Sequence, residues 1–295
     1  MANFTSFLDI LPDPNNKIGA GGESLSSGET GPGFASIKFT SESPIMKSRT
    51  NSGRVVSRAI VGHQWKIALT YNPLTRGDFE PINSFLMSRR GGLVPFFLSL
   101  PQYRVPQDST FASHIDPTGT NSAITVNLVA GNLIVGNSYI IQTANSTNFA
   151  LIGASASTAG LVFTATDHGA DDGIVKASAG STSIMIQGLS GSSGDPKVGD
   201  LFTITDSADS NHTKAYMVTR IETASAFHTN LSPTPQASER IIHFTPGLQR
   251  AVSNSSVVNF HNPKIRVLLS SNVQEYSLDV NNLYSFSLNL EEAQP

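Results

Sequence analysis

The texture of this chain changes twice along its length, and that pattern limits what it can fold into. From about Phe34 to Phe111, strand-like runs surround a single helical pattern. From about Ser122 to Arg240 the chain becomes Gly/Ser/Thr/Ala-rich β sequence with hardly a helical period, and from Ile241 to Leu290 dense apolar strands return. Strands with one apolar face need a sheet to join. The arrangement therefore predicts one domain that is opened, a second β unit inserted, and the first closed again.

The boundaries read as an extended arm over 1–33, a β-sandwich domain over 34–118 plus 241–292, and an inserted all-β domain over 119–240. The arm holds Pro12, Pro14, Pro32 and six glycines, a composition that resists packing; Phe4, Phe7, Leu8, Ile10 and Leu11 are its anchor candidates. In Gln64–Tyr71, Trp65, Ile67, Leu69 and Tyr71 fall on one face at period two. Two further strands are expected at Phe34–Thr40 and Arg54–Ile60, the latter joined to Gln64–Tyr71 by a turn at Val61-Gly62-His63. A helix is expected over about 79–90: Asp78 as N-cap, Glu80 and Pro81 in the first turn, an apolar stripe of Phe79, Ile82, Phe85 and Leu86, Arg89 and Arg90 at the C-terminal end, and Gly91-Gly92 as the stop. Leu93–Leu100 reads as a strand. The closing strands are Ile241–Phe244, Ser256–Phe260, Lys264–Leu269 and Tyr284–Leu290, the last alternating strictly. Inside the insertion, Ile124–Val126 with Val135–Ile141 echoes Ile184–Ile186 with Val198–Ile204. Either two related β modules or ordinary Val-Gly-polar turn chemistry produces such an echo.

Only 14% of residues are charged, against about a quarter in an ordinary soluble domain. A weakly charged surface suits a subunit covered by partners. The net charge of −3, with no basic stripe, speaks against nucleic acid. Without cysteine there is no disulfide, thiolate metal site or Cys nucleophile. The N-terminus lacks the pattern of a signal peptide, and no window has the roughly 18 apolar residues a membrane span needs.

Motifs for chemistry are sparse. Arg76-Gly77-Asp78 spells an adhesion tripeptide, but Asp78 is better used as a helix cap. The cluster Asp167-His168-Gly169-Ala170-Asp171-Asp172-Gly173 lacks the alternate-position carboxylates of a calcium loop and reads as a solvated turn. The seven histidines form no metal-ligand spacing, and there is no nucleophile elbow, P-loop or dinucleotide fingerprint. Glu80 and Glu222 are acids that a glycoside hydrolase would need in a placed pair, but nothing singles them out. No catalytic, cofactor-binding or metal residue is assigned, and a non-enzymatic protein is expected. Arg49, Arg54, Arg58, Arg76, Arg89, Arg90 and Arg104 crowd the first domain. Arg is favoured at interfaces, and all but Arg104 are assigned as inter-subunit contacts; ordinary surface arginines give the same count.

Several segments resemble tail-tip and baseplate proteins of tailed bacteriophages: Ser48-Arg49-Thr50-x-Ser52-Gly53-Arg54, Trp65–Thr75, Phe85–Phe96, Phe244–Gln249 and Tyr284–Glu292. Val198–Ile204 followed by Lys214–Thr219 is similar to small barrel insertions in such proteins, and Gly131–Gly173 to a β repeat of tail and fibre proteins. The resemblance is strongest to distal tail proteins. It implies a mainly β fold: a tail-tube-like β-sandwich with one α-helix, interrupted by an inserted β-barrel or β-sandwich domain. It also implies a virion-tail location, assembly in the host cytoplasm, and a hexameric ring joining the tail tube protein to the baseplate hub. The arm and the Thr40–Arg54 loop would be inter-subunit elements, and the insertion would dock sheath, tape-measure or fibre proteins. A receptor- or glycan-binding fibre module is the alternative; Tyr139, Phe149, Phe163, Phe202, Tyr216 and Phe227 are its candidate stacking aromatics.

Overall fold

The computed structural model describes residues 9–13, 17–18, 29–30, 32–59, 62–116, 123–169, 172–223 and 234–294. The protein is mainly β and divides into two compact units. Met1–Pro101 and Ile265–Gln294 form the first, and Gln102–Lys264 forms the second. In chain order the first unit begins with β1 (Lys17–Ile18), β2 (Glu29–Thr30), β3 (Phe34–Glu42), β4 (Ile45–Arg49), β5 (Val55–Ala59), β6 (Gln64–Tyr71), α1 (Arg76–Ser88) and β7 (Phe96–Ser99). The second unit carries α2 (Ser109–His114), β8 (Thr125–Val126), β9 (Ser138–Thr143), β10 (Val162–Thr164), β11 (Ile174–Ala177), β12 (Ser183–Gln187), β13 (Leu201–Thr205), β14 (Ala215–Glu222), β15 (Glu239–Thr245) and β16 (Val257–Asn259). The chain returns to the first unit through β17 (Lys264–Leu269), β18 (Ser277–Leu278), β19 (Tyr284–Ser285) and β20 (Ser287–Glu292).

The first unit is built on a five-stranded sheet in the order β3-β6-β20-β17-β7. Early and late segments share it directly, because β20 pairs antiparallel with β6, Leu288 opposite Leu69 and Leu290 opposite Ile67. Period two puts Trp65, Ile67, Leu69 and Tyr71 on one face with Leu288 and Leu290, and all six are buried. On the other face of β6 and β20, Lys66, Ser287 and Asn289 are exposed and Gln64, Ala68, Thr70 and Glu291 are half-buried. Such one-sided burial is what an antiparallel sheet with one wet face requires. The buried stripe of α1 (Phe79, Ile82, Phe85, Leu86) reaches this unit's aromatics: Phe79 stacks on Tyr284 with centroids 4.4 Å apart, and Phe85 meets Phe96 edge-on at 5.5 Å.

The helix begins one turn earlier than the sequence suggested. Thr75, not Asp78, is the N-cap, its carbonyl accepting from Asp78 N and Phe79 N. Thr75 Oγ1 donates to Asp78 Oδ2 at 2.7 Å, and Glu80 and Pro81 fall beyond the first turn. The Arg-Gly-Asp tripeptide is therefore the first turn of a helix, not a loop tip. Arg89 is the C-cap, and Arg90 turns left-handed at φ 53°. The chain then runs against residues 269–272: a Cβ on Gly91 would sit 2.8 Å from Asn272 Oδ1, and one on Gly92 2.8 Å from the Leu269 carbonyl. Gly91 also has φ +65°. These glycines stop the helix and permit the close approach. The strand after them is only Phe96–Ser99, because Gly91–Leu93 coils into a 3-10 turn.

Three further expectations give way. Residues 9–13 are packed, not part of a free arm: Ile10, Leu11 and Asp13 are buried, Ile10 bridges Phe97 of β7, and Tyr71 Oη donates to the Pro12 carbonyl at 2.6 Å. The other anchor candidates, Phe4, Phe7 and Leu8, lie outside the described residues. The Thr40–Arg54 loop is largely strand, and β5 pairs with β4 rather than with β6.

The second unit takes more of the chain than expected, gaining 102–118 and 241–264. Its barrel closes in the order β12-β15-β14-β13-β16-β8, and this order is why Ile241–Phe244 and Ser256–Phe260 leave the outer domain. Residue Ile242 faces Ile184 on β12 and Ile221 on β14, and Val258 faces Ile204 on β13. Phe202 meets Tyr216, Phe244 and Phe260 with centroids 5.2–5.5 Å apart. A second helix, α2, was not expected; Asp108 caps it, Oδ1 accepting from Thr110 N and Phe111 N at 3.0 Å each. The sequence echo has no structural counterpart, since β9 is the centre of a separate sheet β10-β9-β11 while β8, β12 and β13 all belong to the barrel.

Candidate functional site

Strands β4 and β5 pair as a hairpin, and neither of its faces is buried over 45–58. Ile45 pairs with Ala59, Met46 with Arg58, Lys47 with Ser57, Ser48 with Val56 and Arg49 with Val55. The turn is closed by Gly53 N donating to the Thr50 carbonyl and Thr50 N donating to the Arg54 carbonyl, both at 2.9 Å. Gly53 sits at φ 79°, where a side chain is disfavoured. One face carries Ile45, Lys47, Arg49 and Val55, the other Met46, Val56 and Arg58. Every side chain described over 45–58 is exposed, Met46 by 62%. A lone two-stranded hairpin is at best marginally stable in water. This one also holds four large apolar side chains in solvent.

The hairpin is strongly cationic. Residues 43–63 contain Lys47, Arg49, Arg54 and Arg58 and no carboxylate. None of the four has an ion-pair partner among the described residues. Directly before the hairpin, β3 ends the sheet, so one side of a nine-residue strand lacks a neighbour among the described strands. The opposite sheet edge differs: Leu11 N donates to the Phe97 carbonyl at 2.8 Å, and Phe97 N to the Asp9 carbonyl.

The structure thus separates the six arginines assigned as inter-subunit contacts. Arg49, Arg54 and Arg58 lie together on the exposed hairpin. Arg76 is exposed but paired with Glu80 one turn on, at 2.6 Å. Arg89 is buried, donates to Asp9 Oδ1 at 2.7 Å, and lies 4.3 Å from the Phe85 ring centroid. It holds residues 9–13 in place and is not available to a partner. Arg90 is exposed at the end of α1.

Sequence reasoning missed a second exposed apolar surface in the same unit. After β17 the chain places Val273, Tyr276, Leu278 and Val280 in solvent, Val280 by 97%. Beside them a groove of about 270 Å³ runs between α1 and the segments 269–276 and 286–289, lined in part by Phe79, Asn83, Leu86, Val273, Gln274 and Tyr276. Its signal in the sequence was the complete lack of Lys and Arg after Arg266.

The carboxylates of the barrel unit's clusters take their partners from the same unit. Asp172 accepts from Ser146 N at 3.1 Å, from the Ser146 hydroxyl, and from Thr147 Oγ1 at 2.9 Å; these bonds, the hydroxyl of Ser146 first, hold its carboxyl below the usual range. Ala170 and Asp171 of that cluster lie outside the described residues. Asp206 gives both oxygens to backbone N–H groups, those of Ala208 and Ser253, each at 2.8 Å. Buried Glu222 accepts from His243 Nε2 at 3.1 Å and pairs with Arg220. Among the described residues no group of three His, Asp or Glu is placed to hold a metal ion. No helix among them is long and apolar enough to cross a membrane. Of the aromatics offered for sugar stacking, Tyr139, Phe149, Phe163, Phe202 and Tyr216 are buried; Phe227 lies outside the described residues. No family model and no curated protein matches this chain.

Proposed function

We propose that this protein is a non-enzymatic ring subunit of a phage tail tip, most like a distal tail protein. Copies of the first unit close a hexameric ring between the tail tube protein and the baseplate hub. The barrel unit carries peripheral sheath, tape-measure or fibre proteins. The observation that supports this reading best is the β4–β5 hairpin. It is ordered, apolar on both faces, cationic and packed on nothing described in its own chain, which is uneconomical for a free monomer and expected of an element completed by a neighbour. The weakly charged composition points the same way.

The resemblance of Trp65–Thr75, Phe85–Phe96 and Tyr284–Glu292 to tail proteins supplies the location. All three segments fall in the first unit, the unit that carries the hairpin. The test is the mass of the purified full chain by light scattering, with negative-stain imaging. A sixfold ring is the expected result, and replacement of 45–58 by a short Gly-Ser loop should return a folded monomer. A wild-type chain that stays monomeric up to millimolar concentration overturns the ring.

A further inference from the structure

The first unit has an exposed apolar hairpin and an exposed apolar groove, and their charges are opposite. Residues 43–63 carry four cations and no acid; residues 267–295 carry Glu275, Asp279, Glu291 and Glu292 and no cation. Glu275 lines the groove, and Asp279 lies in the turn that follows in sequence, its Oδ1 accepting from Asn281 N at 2.8 Å and Leu283 N at 2.9 Å. Of the arginines at the two ends of α1, Arg76 is paired with Glu80 and Arg89 with Asp9, while Arg90 is exposed.

The groove is also chemically incomplete. Gln274 Nε2 donates to the Leu86 carbonyl at 3.1 Å, but Gln274 Oε1 is buried without a hydrogen-bond partner. Buried acceptors are normally satisfied. Val273 and Tyr276 of the lining are exposed, and so are Leu278 and Val280 just after them in sequence, an apolar set matching the hairpin's Ile45, Met46, Val55 and Val56.

We infer that the groove between α1 and residues 269–289 is the acceptor for the β4–β5 hairpin of a second copy of this chain. The hairpin sets its apolar side chains against Val273 and Tyr276, its cations beside Glu275 and Asp279, and a donor group opposite Gln274 Oε1. Donor and acceptor are different surfaces of one unit, so the contact is heterologous, and repetition yields a closed ring or an open filament rather than an isologous dimer. This inference rests on the ring reading above and names the contact that makes it.

Two experiments on the full chain test it. The chain has no cysteine, so single thiols report cleanly. Met46→Cys and Val273→Cys chains, mixed and treated with a short bis-maleimide, should give a crosslinked dimer, while neither variant alone should. A Met46→Cys chain that crosslinks by itself, with no more dimer from the mixture than it gives alone, means a hairpin-to-hairpin contact and overturns the inference.

Charge reversal separates this claim from the ring itself. Arg54→Glu with Arg58→Glu, and separately Glu275→Arg with Val280→Arg, should each weaken association by about tenfold or more, and the four changes in one chain should restore it to within about threefold. All four positions are exposed, so far-ultraviolet circular dichroism should not change. Rings that form normally with the groove variant reject this acceptor and leave the ring standing. A wild-type chain that never associates removes both.

Discussion

In the barrel unit six strands close on themselves, so each has a neighbour on both sides, and aromatics of three of them cluster with Phe260, which directly follows β16. In the other unit the sheet stops at β3, one hairpin leaves it bare on both faces, and a second apolar segment lies open beside α1. Both are built largely of antiparallel strand pairs. Closure removes edges and allows every apolar residue an inward place; an open sheet must cover its edge with its own chain or with another. Here residues 9–11 cover the β7 edge, while nothing described covers β3. The barrel unit therefore answers to substitutions through stability, and the open unit's bare surfaces answer through association.

The largest effect is expected inside the barrel. Phe202 is fully buried among three aromatic rings. Phe202→Ala should cost about 3–5 kcal/mol in denaturant unfolding, from lost transfer energy and the cavity left behind. A cost under about 1 kcal/mol would mean that the ring cluster is not packed as described.

Next comes the pH response of the same unit. Tyr216 Oη accepts from Gln249 N at 3.0 Å and so is free to donate to His212 Nε2, 2.9 Å away. That makes Nε2 an acceptor and keeps the imidazole neutral; burial holds its pKa down at about 4, despite Asp206 and Asp209 nearby. In the unfolded chain the ring takes up its proton near its ordinary 6.5. The stability contribution is therefore whole above pH 6.5 and is lost as pH falls toward 4, amounting to roughly 2–3 kcal/mol by pH 4.5. An NMR titration should place His212 near 4; a midpoint near 6.5 would show a solvated ring. Because both closed-barrel aromatics and this histidine sit in one unit, amides of β14 should lose protection on acidification before those of β6.

In the open unit the interior still behaves as a core. Gly91→Ala places a Cβ at φ +65° and against Asn272, so it should cost about 1–2 kcal/mol in thermal unfolding. No change would mean that the helix end relaxes away from residues 269–272.

The strands with one buried face were legible from residues alone. In β6, Trp65, Ile67, Leu69 and Tyr71 alternate because they face the core and their neighbours do not, and the stripe of α1 is visible for the same reason. What could not be read was non-local. Ile241–Phe244 reads as a strand in any sheet; only pairing with β12 and β14 assigns it to the barrel. Arg89 looks like any helix-end arginine until Asp9, far away in sequence, meets it. The second strand of the hairpin was expected, but β4 and its pairing were missed because period two marks strands through burial, and Ile45-Met46-Lys47-Ser48-Arg49 mixes apolar and cationic residues along the strand. Aromatics such as Phe202 alternate as core residues do, and core is where they lie.

The smallest stability effect is expected where the functional effect is greatest. Val56→Ser removes an apolar side chain that is already in water and touches no core, so unfolding should move by less than about 0.5 kcal/mol. The same change removes part of the surface offered to a neighbour, and ring mass by light scattering should fall. Raising salt acts on the other half of the contact. The hairpin's four cations are exposed, and exposed charges farther apart than about 8 Å are largely screened at physiological ionic strength. Association should therefore slow from low salt to about half-molar salt, while Phe202→Ala leaves that salt response unaltered wherever the protein is folded. If Val56→Ser instead destabilises the monomer as strongly as a core change, the hairpin packs against its own chain, and the contrast between a closed unit and an open one no longer holds.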